Sequence, residues 1–410
     1  MTGTGLRNAP RFVRIGSMAM SAPERLDARA RVFGVLAEIG PASRAELARR
    51  TALAPSTVSA VVSELQDEQL VIEPPGTDQP RGAVGRPPVL VALHRTAGVA
   101  LGLDFGKRHL RVALADLAHE IIAERHQRLD ADLPATEAIA LATALVDEVL
   151  DEAGAGHDKI VGVGMGLPGP IHRPSGELGD STILPGWVGV RAADAMSEAL
   201  GHRVQVENDA SLGALSEWMW GAGRGADDMA YLKLATGVGA GLIVAGKPCG
   251  GTGGTAGELG HTVIDPRGPI CRCGNRGCLE TLAGSSAILA SLRDALEEPV
   301  TLADVIRRAH DGHAGCRHAI GDAGAAIGTA AATLCNLLNP RRIVVGGELA
   351  TAGRLLLDPL TESLARGALR SAAEDVDVIE GALGDRAEVL GAVALVLRQG
   401  ARLLPRATAR

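Results

Sequence analysis

Four side chains stand out for the chemistry their types and spacing allow. His261 is followed by Cys271, Cys273 and Cys278, a C-x-C-G-x-x-G-C run with a histidine ten residues upstream. Thiolates and an imidazole suit tetrahedral zinc, and four protein ligands with no open position describe a structural ion rather than a catalytic one. Gly274 and Gly277 fit that purpose, because a loop that brings three thiolates onto one ion has to turn sharply. The alternative is reduced, buried thiols beside an unrelated histidine. Cys249, Cys316 and Cys335 have no such spacing and read as core thiols.

A second set is made of short hydroxyls. On the segment 55–69, Val58, Val61, Val62 and Leu65 share one side, and Ser56, Thr57, Ser59, Ala60 and Ser63 occupy the other. A helix with small polar residues at its N-terminal end can lie deep in the major groove of duplex DNA and bond phosphates or base edges. The elements around it have the right order for this. A helix from Pro23 carries an apolar face of Leu26, Ala30, Phe33, Leu36, Ala37 and Ile39 up to the Gly40-Pro41 break. Ser43 and Glu46 form a capping-box pattern for a short second helix, and Pro55 suits the first turn of the third. Three helices with a tight second connection read as a helix-turn-helix, with Arg44, Arg49 and Arg50 placed to meet the phosphate backbone. A protein-docking module is the alternative.

Two short apolar runs, Leu70-Val71-Ile72 and Val89-Leu90-Val91-Ala92-Leu93, flank a turn-rich polar stretch and read as a wing. That stretch contains Arg81 and Gly85-Arg86-Pro87-Pro88, whose glycine-arginine-proline core resembles an AT-hook. A proline-stiffened backbone holding Arg86 suits a narrow A·T-rich minor groove, against the alternative of a solvated loop. Charge points the same way, weakly. Residues 1–95 carry 12 Arg and no Lys against 9 acidic side chains, a balance of +3 on a chain whose net charge is −7. Aromatic residues make up only 2% of the chain, too few for the stacking platforms of single-strand binders. With no long apolar run and no signal-peptide pattern, the expected compartment is the cytoplasm and no membrane partner is expected.

From Gly98 the pattern changes to strands and helices. Strands are expected at 99–103, 110–114, 121–122 and 160–165, a helix at 136–151, a strand-to-helix step across 204–220, and a hairpin from 229–234 and 241–244. An apolar helix is expected at 389–404.

The stretch Gly254-Thr255-Ala256-Gly257-Glu258-Leu259-Gly260-His261, followed by Cys271-Arg272-Cys273-Gly274-Asn275-Arg276-Gly277-Cys278-Leu279-Glu280, resembles the signature of the ROK family of repressors, open reading frames and kinases. The helix-turn-helix in front makes the chain similar to the xylose and N-acetylglucosamine repressor branch. The resemblance implies an α/β chain: an N-terminal winged helix-turn-helix and an actin-like, ribonuclease H-like domain of two lobes with a sugar between them. The implied divisions are a terminal arm (1–22), the winged unit (23–95), a smaller lobe (96–207) with helix 388–404 packing back on it, and a larger lobe with the zinc knuckle (208–387).

The resemblance also implies a sugar site of Asn208, Asp209, Glu258, His261 and Glu280, with Asp209 at the family's general-base position. Such groups suit a polyol, because carboxylates and amides converging on hydroxyls discriminate epimers through the partners left unpaired. The plainer roles are N-capping for Asn208 or Asp209 and a surface or supporting carboxylate for Glu258 and Glu280. His261 has two implied roles that are compatible, since one ring nitrogen can bind zinc while the other faces the sugar. Family kinases carry Asp-x-Gly-Gly-Thr at the first strand turn, where Asp104-Phe105-Gly106-Lys107-Arg108 stands here. Two long basic side chains replace the second glycine and the threonine, which spoils a phosphate nest. The glycines of Thr236-Gly237-Val238-Gly239-Ala240-Gly241 and Gly346-Gly347 persist. The expectation is therefore a sugar-controlled transcriptional repressor acting on double-stranded operator DNA as a homodimer or dimer of dimers. The alternative is an ATP-dependent sugar kinase with an appended DNA-binding domain, and a zinc-dependent interaction module without ligand is a third reading.

Overall fold

The computed structural model describes residues 21–74, 89–130, 133–172, 177–179, 183–296, 298 and 300–398. The chain divides into two compact units between Leu93 and His94. Arg81 and Arg86 lie outside the described residues, as does the arm up to Met20.

The first unit runs α1 (Ala22–Ile39), β1 (Ala42–Ser43), α2 (Arg44–Thr51), α3 (Pro55–Asp67), β2 (Val71–Ile72) and β3 (Leu90–Leu93). The strands form one antiparallel sheet in the order β1-β3-β2. The α2–α3 turn closes without glycine, Ala52 taking a left-handed φ of 51°. Ser43 caps α2 by accepting a hydrogen bond from the Glu46 amide at 3.2 Å. The expected reciprocal half of the capping box is not made, because both Glu46 oxygens are taken by Arg49 and Arg50.

α1 also departs from its expected face. Its fully buried residues are Ala28, Arg29, Val32, Phe33 and Leu36, while Leu26, Ala30, Ala37 and Ile39 are half-exposed. An arginine turns the helix: Arg29 is 6% exposed and forks onto Glu68, the C-cap residue that follows α3, with Nη1 2.8 Å from Oε1. Apolar periodicity gives no weight to a buried charge, so the stripe drawn through apolar residues was rotated from the real one.

The second unit contains two sheets of the same topology. In the first, β4 (Val99–Phe105), β5 (His109–Asp116) and β6 (Ile121–Arg128) form an antiparallel meander. After α4 (Ala135–Ala153), β7 (Ile160–Leu167) returns parallel to β4. The small hairpin β8 (Ile171–His172) and β9 (Glu177–Leu178) and helix α5 (Ala192–Leu200) then lead to β10 (Val204–Asn208), parallel to β7. The order is β10-β7-β4-β5-β6.

After α6 (Asp209–Trp220) the pattern recurs. β11 (Met229–Leu234), β12 (Val238–Val244) and β13 (Lys247–Pro248) are the second meander. Helices α7 (Glu280–Ala283), α8 (Ser285–Ser291), α9 (Leu302–His310) and α10 (Ala314–Leu338) precede β14 (Arg342–Gly346), and α11 (Arg354–Gly367) and α12 (Arg370–Glu374) precede β15 (Asp377–Glu380). Both late strands run parallel, in the order β13-β12-β11-β14-β15. Three antiparallel strands followed by two parallel ones, occurring twice, is the actin-like, ribonuclease H-like architecture.

α13 (Ala387–Leu397) and α6 join the two sheets. α13 lies so close to the first sheet that a Cβ on Gly164 would sit 2.1 Å from the Ala392 carbonyl oxygen. α6 lies equally close to the second sheet, where a Cβ on Gly241 would meet the Ala210 oxygen at 2.2 Å. The helix expected at 389–404 thus starts two residues earlier, and its described part ends at Leu397.

Several strands run longer than expected, and for β6 and β12 the extension changes the reading. β6 continues from Ile121 to Arg128 as a partly exposed edge strand whose polar residues hide it from an apolar-run reading. β12 begins at Val238, so much of the expected glycine loop 236–241 is strand paired with β11.

Candidate functional site

The two sheets of the second unit face a cavity of about 690 Å³. Asn208, Asp209, Glu258 and Glu280 all line it. Asn208 ends β10 and caps α6: its Oδ1 accepts from the Ser211 amide at 3.2 Å and its Nδ2 donates to the Gly169 oxygen at 3.0 Å. Capping and cavity lining therefore coincide in one residue. Asp209 follows at the head of α6. Its Oδ1 accepts from the Ala210 amide and its Oδ2 from Lys233 Nζ, both at 2.8 Å.

Glu280, at the start of α7, is held by three donors. Arg272 Nε and Nη2 fork onto its two oxygens at 2.6 and 2.9 Å, and the Val238 amide reaches Oε2 at 3.3 Å. Such a bidentate pair fixes the carboxylate's orientation. Glu258 stands between Asp209 and Glu280 in the electrostatic sense. Burial raises its pKa, the two neighbouring carboxylates raise it further, and Arg272 opposes them.

His261 is the one expected sugar contact that does not line the cavity; it stands behind Glu258. Its Nε2 is 3.9 Å from Glu258 Oε2, while its Nδ1 is 3.5 Å from Cys271 Sγ. The ligand atoms of His261, Cys271, Cys273 and Cys278 lie within 4.8 Å of one another, a cluster able to hold a metal ion. Gly274 and Gly277 carry φ of +88° and +69°, and a Cβ on Gly277 would meet the Asp265 oxygen at 1.5 Å. Only glycine fits that turn.

The turn after β4 is closed by its own residues. The Gly106 amide donates to the His109 oxygen at 2.9 Å, and a Cβ on Gly106 would sit 2.0 Å from His109 Cε1, so the imidazole covers the glycine. His109 Nε2 lies 2.9 Å from Asp104 Oδ2. Burial works against ionisation of Asp104, but the His109 hydrogen bond and the charges of His109, Lys233 and Arg111 prevail and lower its pKa.

Several residues of the cleft escaped the sequence reading. Lys233 reaches Glu388 as well as Asp209, at 3.4 Å from Oε1, and Tyr231 donates to the same oxygen at 3.2 Å. Arg111 pairs with Asp385 across the cavity rim. Two signals were present in the sequence: a lysine inside the apolar strand Met229–Leu234, and a glutamate heading the apolar helix Ala387–Leu397.

In the first unit, α3 buries Val58, Val61, Val62 and Leu65 and exposes Ser56, Ser59, Ala60 and Ser63, with Thr57 half-buried. Arg44 leans on α3, donating to Gln66 Oε1 at 3.1 Å, whereas Arg49 and Arg50 are exposed and share Glu46. Among the described residues no helix is long and apolar enough to cross a membrane.

Comparison with known proteins agrees with this fold. A xylose repressor from Caldicellulosiruptor bescii is 29% identical over 368 residues, covering 87% of this chain and 91% of that protein. The crystal structure of a ROK family transcriptional regulator, a homologue of the E. coli MLC protein, superposes with a TM-score of 0.78 at 26% identity, over 92% of this chain and 97% of that one. A ROK family glucokinase from Streptomyces griseus, solved with glucose and AMPPNP, gives a TM-score of 0.63 at 25% identity, over 73% of this chain and 99% of its own. The kinase matches a smaller share of the chain than the regulator does. The profile described as the ROK family matches residues 100–399, and the chain belongs to that family.

Proposed function

We propose that this chain is a sugar-responsive DNA-binding repressor whose second unit binds a sugar without phosphorylating it. The observation that carries the reading is the covered β4 turn. His109 lies over the one glycine left in it, and Lys107 and Arg108 replace the small residues a phosphate nest requires. The sugar subsite is made of Asn208, Asp209, Glu258 and Glu280, with His261 orienting Glu258 from behind. Relatives named as repressors, and the closer likeness to a regulator than to a kinase, support the same reading.

The ion held by His261, Cys271, Cys273 and Cys278 is zinc. Zn–S bonds of about 2.3 Å and a Zn–N bond of about 2.0 Å give tetrahedral edges of about 3.5 Å (N to S) and about 3.8 Å (S to S). The His261 to Cys271 and Cys273 to Cys278 separations of 3.5 and 3.7 Å fit those edges. Zinc there would fix the His261 ring and so the carboxylate in front of it.

The DNA reader is the winged unit 23–95. Ser56, Ser59 and Ser63 face the major groove with Thr57 at their side, Arg44 orients the helix, and Arg86 enters the minor groove. In a homodimer, a sugar-dependent change between the lobes would alter the spacing of two such readers, whose half-sites on one face of B-DNA lie about 34–36 Å apart per turn. The test is fluorescence anisotropy on the chain's own upstream DNA, with and without D-xylose and a panel of other pentoses and hexoses. A sugar that changes DNA affinity, with no ADP formed from ATP in its presence, is the expected result. Turnover that disappears in Asp209→Ala would establish the kinase instead. In the same assay Arg86→Ala lowers affinity most on A·T-rich flanks.

A further inference from the structure

Lys233 is the one basic residue of β11, and it projects from the centre of the second sheet into the floor of the cleft. Its ammonium stands between two buried carboxylates, 2.8 Å from Asp209 Oδ2 and 3.4 Å from Glu388 Oε1. These carboxylates head α6 and α13, the two helices that join the lobes. A third carboxylate, Asp104 at the end of β4, is 1% exposed and contributes to the same field. Among the described residues its Oδ1 has no hydrogen-bond partner.

Three buried carboxylates of this kind repel one another unless a cation sits among them. Oxygen-rich clusters in phosphoryl-transfer sites hold a hard divalent ion, which bridges and neutralises the transferred phosphate. We propose that Lys233 is a tethered cation that fills this place between Asp209 and Glu388, so that the cleft needs no divalent ion and does not assemble a metal–nucleotide complex.

The consequence for Asp209 is direct. A general base must turn a free oxygen toward the hydroxyl it deprotonates. Both oxygens of Asp209 are already engaged, by the Ala210 amide and by Lys233. The carboxylate is then held in one orientation, as a fixed acceptor for a sugar hydroxyl. The functional meaning rests on the sensor reading above, whereas the cation substitution stands on the geometry alone.

The experiment compares the full-length protein with Lys233→Ala and Lys233→Arg, purified without chelator so that the cysteine site keeps its metal. Bound manganese is counted by water-proton relaxation during titration with MnCl2, and thermal unfolding is followed in parallel. Lys233→Ala should gain one manganese ion per chain over the unmodified protein. Its unfolding midpoint should rise by about 5 °C at a hundredfold excess over the dissociation constant. Lys233→Arg, which keeps the charge, should gain none.

Should the alanine variant fail to fold even in MnCl2, Lys233→Met keeps most of the side-chain volume and carries the same expectation. A folded Ala or Met variant that takes up no additional ion overturns the proposal. So does an unmodified protein whose manganese binding is abolished by Asp209→Asn. Sugar titration of the unmodified chain is a separate measurement: if no sugar binds, the sensor reading falls while the manganese result keeps its meaning.

Discussion

Gly391 of α13 lies against Leu212 of α6 so closely that a Cβ on the glycine would sit 2.0 Å from the leucine carbonyl oxygen. The obstacle is backbone, so no rotamer change relieves it. Gly391→Ala must push apart the helices that join the two sheets, at a cost on the order of 1–3 kcal/mol. A lowered urea midpoint, together with weakened sugar control of DNA binding, is the expected outcome. An unchanged midpoint would show that the two helices separate freely.

Glu217, fully buried in α6, accepts the amides of Ala222 at 2.7 Å, Leu383 at 2.9 Å and Ala382 at 3.1 Å. It thereby fixes the loop that presents Asp385 to the cavity rim. Glu217→Ala leaves three donors without a partner and should destabilise by about 3 kcal/mol or more. Glu217→Gln retains an acceptor and should cost clearly less. Equal losses in chemical denaturation of the two variants would mean that packing, not hydrogen bonding, is what Glu217 supplies.

Cys278→Ser removes one ligand of the proposed zinc centre. Metal content per chain, measured by plasma emission, should fall sharply, and the thermal midpoint with it. Because His261 stands behind Glu258, sugar affinity should decline as well. Operator binding in the absence of sugar should persist, since the winged unit contains none of the ligands. Full metal content in the variant would contradict the assigned ligand set.

His119, in the β5–β6 turn at φ 68°, packs edge-on against Trp220, and its Nε2 has no partner among the described residues. Burial lowers its pKa to about 4, with Asp116 opposing the shift. The folded-state value lies below the unfolded value of about 6.5, so the unfolded chain binds the extra proton first. This contribution to stability is present above pH 6.5 and is lost as pH falls toward 4. His119→Asn, which tolerates the left-handed backbone, should flatten the unfolding midpoint between pH 6.5 and pH 4.5 relative to the parent. Parallel profiles for the two proteins would assign the acid sensitivity to other groups.

The cysteine cluster and the α3 faces were legible because both are local. A C-x-C-G-x-x-G-C run sets its own ligand distances within one loop, and the alternation of Val58, Val61, Val62 and Leu65 with hydroxyls fixes which side of a helix is buried. The family signature likewise marked Asn208, Asp209, Glu258 and Glu280, which the fold does bring to one cavity. His261 reaches the same region through Glu258, 3.9 Å from its Nε2.

Tertiary structure decided what depends on charges meeting from distant strands and helices. Arg29 turns α1 because Glu68 awaits it at the C-cap of α3, whereas apolar periodicity alone points to a different face. Lys233 and Glu388 are 155 positions apart in the chain, and neither has a motif to mark it. What joins them is the crossing of β11 beneath the heads of α6 and α13. Sequence spacing reports which side chains one element presents; only packing reports which of them must neutralise one another once water is removed. The sequence alone therefore determined the cysteine loop, the buried face of α3 and the family. The fold decided how Asp209 is neutralised and which helices set the angle between the lobes.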